Sequence, residues 1–274
     1  MNRMHRIKAG PLVKETVYTV PTLRDNKQQR TEKSRATNAA QARMNYRNAA
    51  EHLEFLIAAN FSEQDYFITL TVKDEPKPAA KKTLQEPLRK FIRILRGIYR
   101  QHGIELKYIY TLEGVDSDET RLHTHILLNR LATVERDTEL FQSLWTLGFI
   151  NCKPIKLFLT ANAIPADNMY SGISSYMCKD CYTPNGAQRY STSKNLLKPQ
   201  NYYEDLPDNV TLAEPPTGAI VIDRDSRESL YGNYKFIKYI LPTTAAAAGF
   251  NTPIPRKRRQ ANAQLQTEPR IYFT

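Results

Sequence analysis

The chain has 274 residues, 41% of them apolar, and its 39 Lys and Arg against 28 Asp and Glu leave a net charge of +11. That is enough apolar material for one sizeable domain with extensions, and the basic balance points to a polyanion, nucleic acid above all, as partner. Ten glycines and 16 prolines exclude collagen-like and low-complexity classes, and three cysteines do not make a disulfide scaffold. A reducing, cytoplasmic setting is expected. No apolar h-region opens the chain and no run approaches the ~18–20 apolar residues of a membrane span, so neither a signal peptide nor a membrane segment is expected.

Residues 1–34 are basic and polar with little period, and read as an N-terminal arm. Ser34 to Asn60 lacks Gly and Pro; Met44, Ala50, Leu53, Leu56 and Ile57 recur near helical spacing, which predicts a long helix. Tyr66 to Lys73 alternates, with Ile68, Leu70 and Val72 on one face and Phe67, Thr69 and Thr71 on the other, and predicts a strand. Leu84, Leu88, Phe91, Ile92, Leu95, Ile98 and Tyr99 form a stripe at helical spacing. Pro87 suits the first turn of that helix, and His102-Gly103 closes it. Arg89, Arg93, Arg96 and Arg100 lie on its polar side.

Leu106–Glu113 and Leu122–Asn129 read as two strands joined by a polar hairpin connection. Thr133–Trp145 reads as a helix with Thr133 as N-cap, Phe149–Leu157 as a fourth strand and residues 168–182 as a further helix. The order β-α-β-β-α-β, then one helix, predicts an α+β fold: a ferredoxin- or RRM-like split β-α-β antiparallel sheet with an added tyrosine-bearing helix. Residues 201–230 are acidic, Leu230 to Ile240 reads as one strand, and 243–274 as a flexible basic tail. The expected division is an arm over 1–34, a principal domain over 35–200, an acidic and then β-containing extension over 201–242, and the tail.

His123 and His125 lie two apart in a strand, so both imidazoles share a face, a start for a divalent metal site. If the hairpin is symmetric about Asp118, Glu113 falls opposite His123 and completes a set of two nitrogens and one carboxylate. Tyr176 and Lys179 are three apart on a helix and share a face. A phenol is a poor nucleophile at its ordinary pKa of ~10, and a nearby ammonium or metal lowers the cost of the phenolate.

FITLT at 67–71, HTH at 123–125 and YMCK at 176–179 resemble the three ordered motifs of HUH endonucleases, and are most similar to those of rolling-circle replication initiators of bacterial plasmids and phages. RYSTSKNLLKP at 189–199 resembles a basic, Ser-containing segment that follows the tyrosine helix in such proteins. The resemblance covers roughly residues 45–200. Two departures stand out: Thr124 occupies a place usually held by a bulky hydrophobe, and one tyrosine stands where some members have two.

The resemblance implies Mg²⁺ or Mn²⁺ on His123, His125 and Glu113. It implies Tyr176 as the nucleophile that leaves a 5′-phosphotyrosine and a free 3′-OH, with Lys179 stabilising charge or passing a proton. The implied substrate is single-stranded DNA at a replication origin or hairpin, held by Thr69, Thr71, Arg89, Arg93, Arg96, Arg189, Ser193, Lys194 and Lys198. No G-x-x-x-x-G-K-[ST] occurs, so a separate host helicase and polymerase are expected, in the cytoplasm of a bacterial host. The rival readings are a mobilisation relaxase, a single-tyrosine HUH transposase, and a non-catalytic RRM-like binder stacking bases on Phe67, Tyr108 and Tyr110. Cys178-x-x-Cys181 with Cys152 suggests structural zinc only weakly, because a fourth ligand is missing.

Overall fold

Alternation along Tyr66–Val72 buries every second side chain fully and leaves the others half-buried, so that strand must be covered on both faces. The computed structural model describes residues 1–20, 39–73, 80–114, 121–155, 169–179, 189–207, 212, 214–229 and 232–241. In chain order the elements are β1 (Asn2–Ala9), β2 (Leu12–Thr19), α1 (Ala39–Asn60), β3 (Tyr66–Val72), α2 (Ala80–Gln101), β4 (Tyr108–Glu113) and β5 (His123–Leu128). They continue with α3 (Val134–Leu144), β6 (Gly148–Pro154), α4 (Met169–Lys179), β7 (Ser191–Thr192), β8 (Gln200–Leu206), β9 (Ile220–Ser229) and β10 (Gly232–Ile240). The protein is α+β, with two five-stranded antiparallel sheets and four helices among the described residues.

The first sheet runs β6-β3-β5-β4-β7. Its first four strands have the order that interleaving two β-α-β units produces. Tyr66, Ile68, Leu70, Ile126 and Leu128 project to one face and pack on α2 and α3 through Leu84, Leu88, Phe91, Leu95, Phe141 and Trp145. The opposite face, with Ile109 and Leu127, packs on α1 and α4. Thr133 caps α3 by accepting from Arg136 N, as expected. Pro87 lies inside α2 rather than in its first turn, because the helix begins at Ala80.

The termini differ from expectation. Residues 1–20 are not an arm: β1 and β2 form a hairpin in a second sheet of order β8-β1-β2-β10-β9, so the start of the chain and residues 200–240 build one layer. The hairpin has little apolar period because several of its buried positions are polar. Glu15 is buried, yet accepts from Arg6 Nε at 2.8 Å and from the Tyr239 hydroxyl at 2.9 Å. Paired polar groups can be buried without leaving a hydrophobic period. The strand expected near 230–240 is β10, and the 243–274 tail lies outside the described residues.

Helix α1 lies between the two sheets. Leu53, Leu56 and Ile57 share one cluster with Ala9, Leu12 and Ile240 of the second sheet and with Ile109 and Leu127 of the first. Met44, expected on its apolar stripe, is exposed. The contact with the second sheet includes a buried ion pair, Lys238 Nζ to Glu54 Oε2 at 2.9 Å, with the two residues only 8% and 2% exposed. Removing one partner of such a pair leaves a charge buried without its counter-ion. Lys238→Met is expected to destabilise the protein by about 3–5 kcal/mol in urea unfolding, and adding Glu54→Leu to recover most of that loss. A Lys238→Met protein as stable as the parent would mean that β10 and α1 do not depend on this pair.

Candidate active site

The β4–β5 hairpin brings the donors together. Glu113 pairs with His123 and Thr111 with His125, the register that a connection symmetric about Asp118 predicts. Gly114 makes the exit from β4 possible: its φ is +76°, and a Cβ there would stand 2.5 Å from the Arg121 carbonyl oxygen. Strand β3 lies on the other side of β5, with Thr69 opposite His125 and Thr71 opposite His123.

Glu113, His123 and His125 place one ligand atom each within 4.8 Å of one another. Glu113 Oε2 lies 3.0 Å from His123 Nε2 and 3.5 Å from His125 Nε2. His123 Nδ1 lies 2.7 Å from the Arg121 carbonyl, which must accept, so the proton sits on Nδ1 and Nε2 is turned to the cluster. His125 Nδ1 meets Thr69 Oγ1 at 3.0 Å, so Thr69 orients the second imidazole. Thr124, the departure from the usual motif, is buried on the other face and donates to the Thr111 carbonyl at 2.5 Å. Its hydroxyl is satisfied by backbone, which is why a polar residue is tolerated there.

Two atoms of the set, Glu113 Oε1 and His125 Nε2, are buried without a hydrogen-bond partner among the described residues, as is Thr111 Oγ1. Each such orphan costs about 1–3 kcal/mol. A divalent cation would satisfy both donor-set atoms at once, so the residues fit a metal ion; Mg²⁺ and Mn²⁺ suit a mixed carboxylate–imidazole set with open positions. Burial works against the charge on Glu113, but the two histidines overcome it and hold the carboxyl down at about 2. Burial likewise opposes the charge on His123, yet Glu113 and the Arg121 carbonyl outweigh it and raise its pKa.

Tyr176 stands over this cluster. It is 55% exposed, and its ring centroid lies 4.9 Å from that of His125 and 6.0 Å from that of Phe67. Tyr170, six residues earlier, is buried, and burial with the nearby Glu63 carboxylate pushes its pKa up to about 12. Met177 and Cys178 are buried too, so α4 turns Tyr176 and Lys179 outward. Tyr182 and Cys181 lie outside the described residues. Beside Tyr176 a recess of about 370 Å³ opens between α4 and strands β3 and β6.

The other predicted contacts scatter. Arg89, Arg93, Arg96 and Arg100 are exposed on α2, which covers the sheet face opposite the histidines. Arg96 and Arg100 line a separate cleft of about 710 Å³ with Lys194 at the β7 edge. Lys198 is exposed on a second cleft under α1. Two of the candidates are committed to the fold. Ser193 is buried, and its hydroxyl accepts from Tyr108 N at 3.1 Å. Arg189 donates to the Cys178 carbonyl at 3.2 Å and so caps the end of α4. Thr71 faces the donor set from β3. Cys152 and Cys178 belong to opposite layers, which separates two members of the suggested zinc set. Phe67 lies on the histidine face and Tyr108 and Tyr110 on the other, so the three do not form one stacking surface. Thr111, Asn151 and Lys153 adjoin the site, although no motif marks them; parity along β4 and β6 points to them only once the strand partners are known.

Residues 65–181 match the family model of the replication-associated protein ORF2. No curated protein and no solved structure matches the chain. The matched stretch runs from β3 through α4 and contains all three donors, Tyr176 and Lys179. It supports a role as a replication initiator, and a protein with that role binds DNA. No helix among the described residues is long and apolar enough to cross a membrane.

Metal binding has a defined pH dependence. Because the pKa of His123 is raised in the free protein, its proton persists to higher pH and must leave when a metal binds. Affinity therefore falls as pH drops through that pKa, by about tenfold per unit if one proton is displaced. Glu113 stays ionised throughout and adds nothing to the slope. Mn²⁺ calorimetry between about pH 6 and about pH 8 measures it; an affinity flat over that range would exclude His123 as a ligand.

Proposed function

We propose that the protein starts replication by nicking and rejoining single-stranded origin DNA through Tyr176. The observation that carries this reading is the exposed Tyr176 ring 4.9 Å from the His125 ring, over a buried cluster of Glu113, His123 and His125, all within the matched stretch. A divalent cation bound there would supply Lewis-acid polarisation of a phosphate oxygen. His123, His125 and Glu113 hold it, and Thr69 and the Arg121 carbonyl keep the imidazoles aimed.

The Tyr176 oxygen attacks phosphorus and its proton passes to solvent. The bond from phosphorus to the 3′-oxygen breaks, and that oxygen takes up a proton. The products are a 5′-phosphotyrosyl linkage and a free 3′-OH for a polymerase to extend. One ester replaces another, so attack by a 3′-OH in the reverse direction rejoins ends without ATP. Lys179, on the same side of α4, offsets charge on the crowded phosphate.

The test uses labelled single strands from the flanking DNA, Mn²⁺ and denaturing gels. The parent protein forms one covalent band per strand, and Tyr176→Phe and the double change His123→Ala/His125→Ala form none, while Tyr176→Phe still binds DNA. Lys179→Ala slows adduct formation roughly 10²-fold. An adduct on Tyr176→Phe, or one mapped to Tyr170, would overturn the assignment.

A further inference from the structure

The recess beside Tyr176 has walls of distinct chemistry. Phe67 and Thr69 of β3 form its floor, Asn151 and Lys153 of β6 one side, and Gly172 and Tyr176 of α4 the other. Its volume of about 370 Å³ lies within the range of small-molecule sites. Strand β6 alternates exposed and half-buried positions, so Phe149, Asn151 and Lys153 project together onto the face that carries the histidines. Asn151 sits opposite Thr69, which sits opposite His125, so two interstrand steps, ~10 Å, separate it from the donor set.

Three further observations point to a ligand. Among the described residues, the side chains of Asn151 and Lys153 have no hydrogen-bond or ion-pair partner. An amide offers one donor and one acceptor side by side, and pairs best with adenine N6 and N7. Gly172 lies within a helix, where glycine costs about 1 kcal/mol against alanine. A Cβ there would meet nothing within 4 Å, so this glycine keeps the recess open rather than easing a contact. Phe149 is 58% exposed with Lys73 Nζ 5.6 Å from its ring centre, a stacking surface with a cation beside it.

We infer that the recess is a base-reading pocket for single-stranded DNA. It takes an adenine next to the cleaved phosphate, with Asn151 pairing along the edge of the base. Lys153 lies along the backbone, and Phe149 stacks the neighbouring base. Its placement next to the cut rests on the proposed nicking reaction, but reading a base is a matter of binding and is measured without cleavage.

Short single-stranded DNAs of randomised sequence are bound to the full-length protein in EDTA, recovered and sequenced. The parent enriches adenine at one position by about tenfold or more. Asn151→Leu, which keeps the size and loses the amide, and Gly172→Leu, which fills the recess, erase that enrichment and leave other positions unchanged. Gly172→Ala keeps it. No positional preference in the parent, or a preference unchanged in both leucine variants, would overturn the pocket. Loss of preference in the variants with no covalent adduct in the parent would remove the nicking reaction and leave the pocket. An adduct together with unchanged preference would do the reverse.

Discussion

A carboxylate buried against two imidazoles sets the terms for this structure. Burying Glu113 in ionised form is costly, and only positive charge beside it makes that form stable. Protonated histidine meets the need in part, since His123 shares its proton with Glu113 and with the Arg121 carbonyl. Yet Glu113 Oε1 and His125 Nε2 still lack partners among the described residues. A cluster satisfied in part is a poor structural device, because each orphan costs about 1–3 kcal/mol with nothing gained in packing. The same cluster completed by a divalent cation has no orphans in its donor set. The arrangement makes physical sense as a site that waits for a cation, and the positions a cation leaves open then face Tyr176.

Much of this is legible in the residues. Alternation along Tyr66–Val72 locates the central strand, and period two places His123 and His125 on one face. A symmetric hairpin puts Glu113 across from His123, which the register bears out. These inferences work because strand parity is rigid, and a one-residue slip would move every donor to the opposite layer. The failures have an equally physical origin. Strands β1 and β2 bury Glu15 and Thr16 in paired form, so their hydrophobic pattern is too weak to distinguish them from an arm. Ser193 and Arg189 look like phosphate contacts by residue type. The fold uses one to extend the sheet and the other to cap a helix, and only tertiary structure separates those uses.

The basic helix α2 illustrates a limit on reading charge. Its arginines form a real stripe, but the sheet stands between them and the histidines. Charge at that distance steers a polyanion toward the molecule and does not position a phosphate for attack. Positioning must come from short, oriented groups on the histidine face, and there the chain offers Thr69, Thr71, Asn151 and Lys153 from two adjacent strands.

The second sheet lies outside the matched stretch, yet it bears on where Tyr176 stands. Helix α4 carries the tyrosine and packs on α1, where the Tyr46 hydroxyl donates to the Ser175 carbonyl at 3.2 Å. Arg189 ties the two helices again: it caps α4 at Cys178, and its guanidinium lies 5.6 Å from the centre of the Tyr46 ring. Helix α1 is in turn held from its other side by Lys14 and Lys238 of the second sheet, through Glu51 and Glu54. The donors need only the β3, β4 and β5 backbone to stay in register. The tyrosine needs a chain of contacts that runs through α1 to both ends of the described chain. A polypeptide reduced to the matched residues would keep the metal donors and lose what holds the nucleophile above them, which is a physical reason for β1, β2 and β8–β10 to be part of the same molecule.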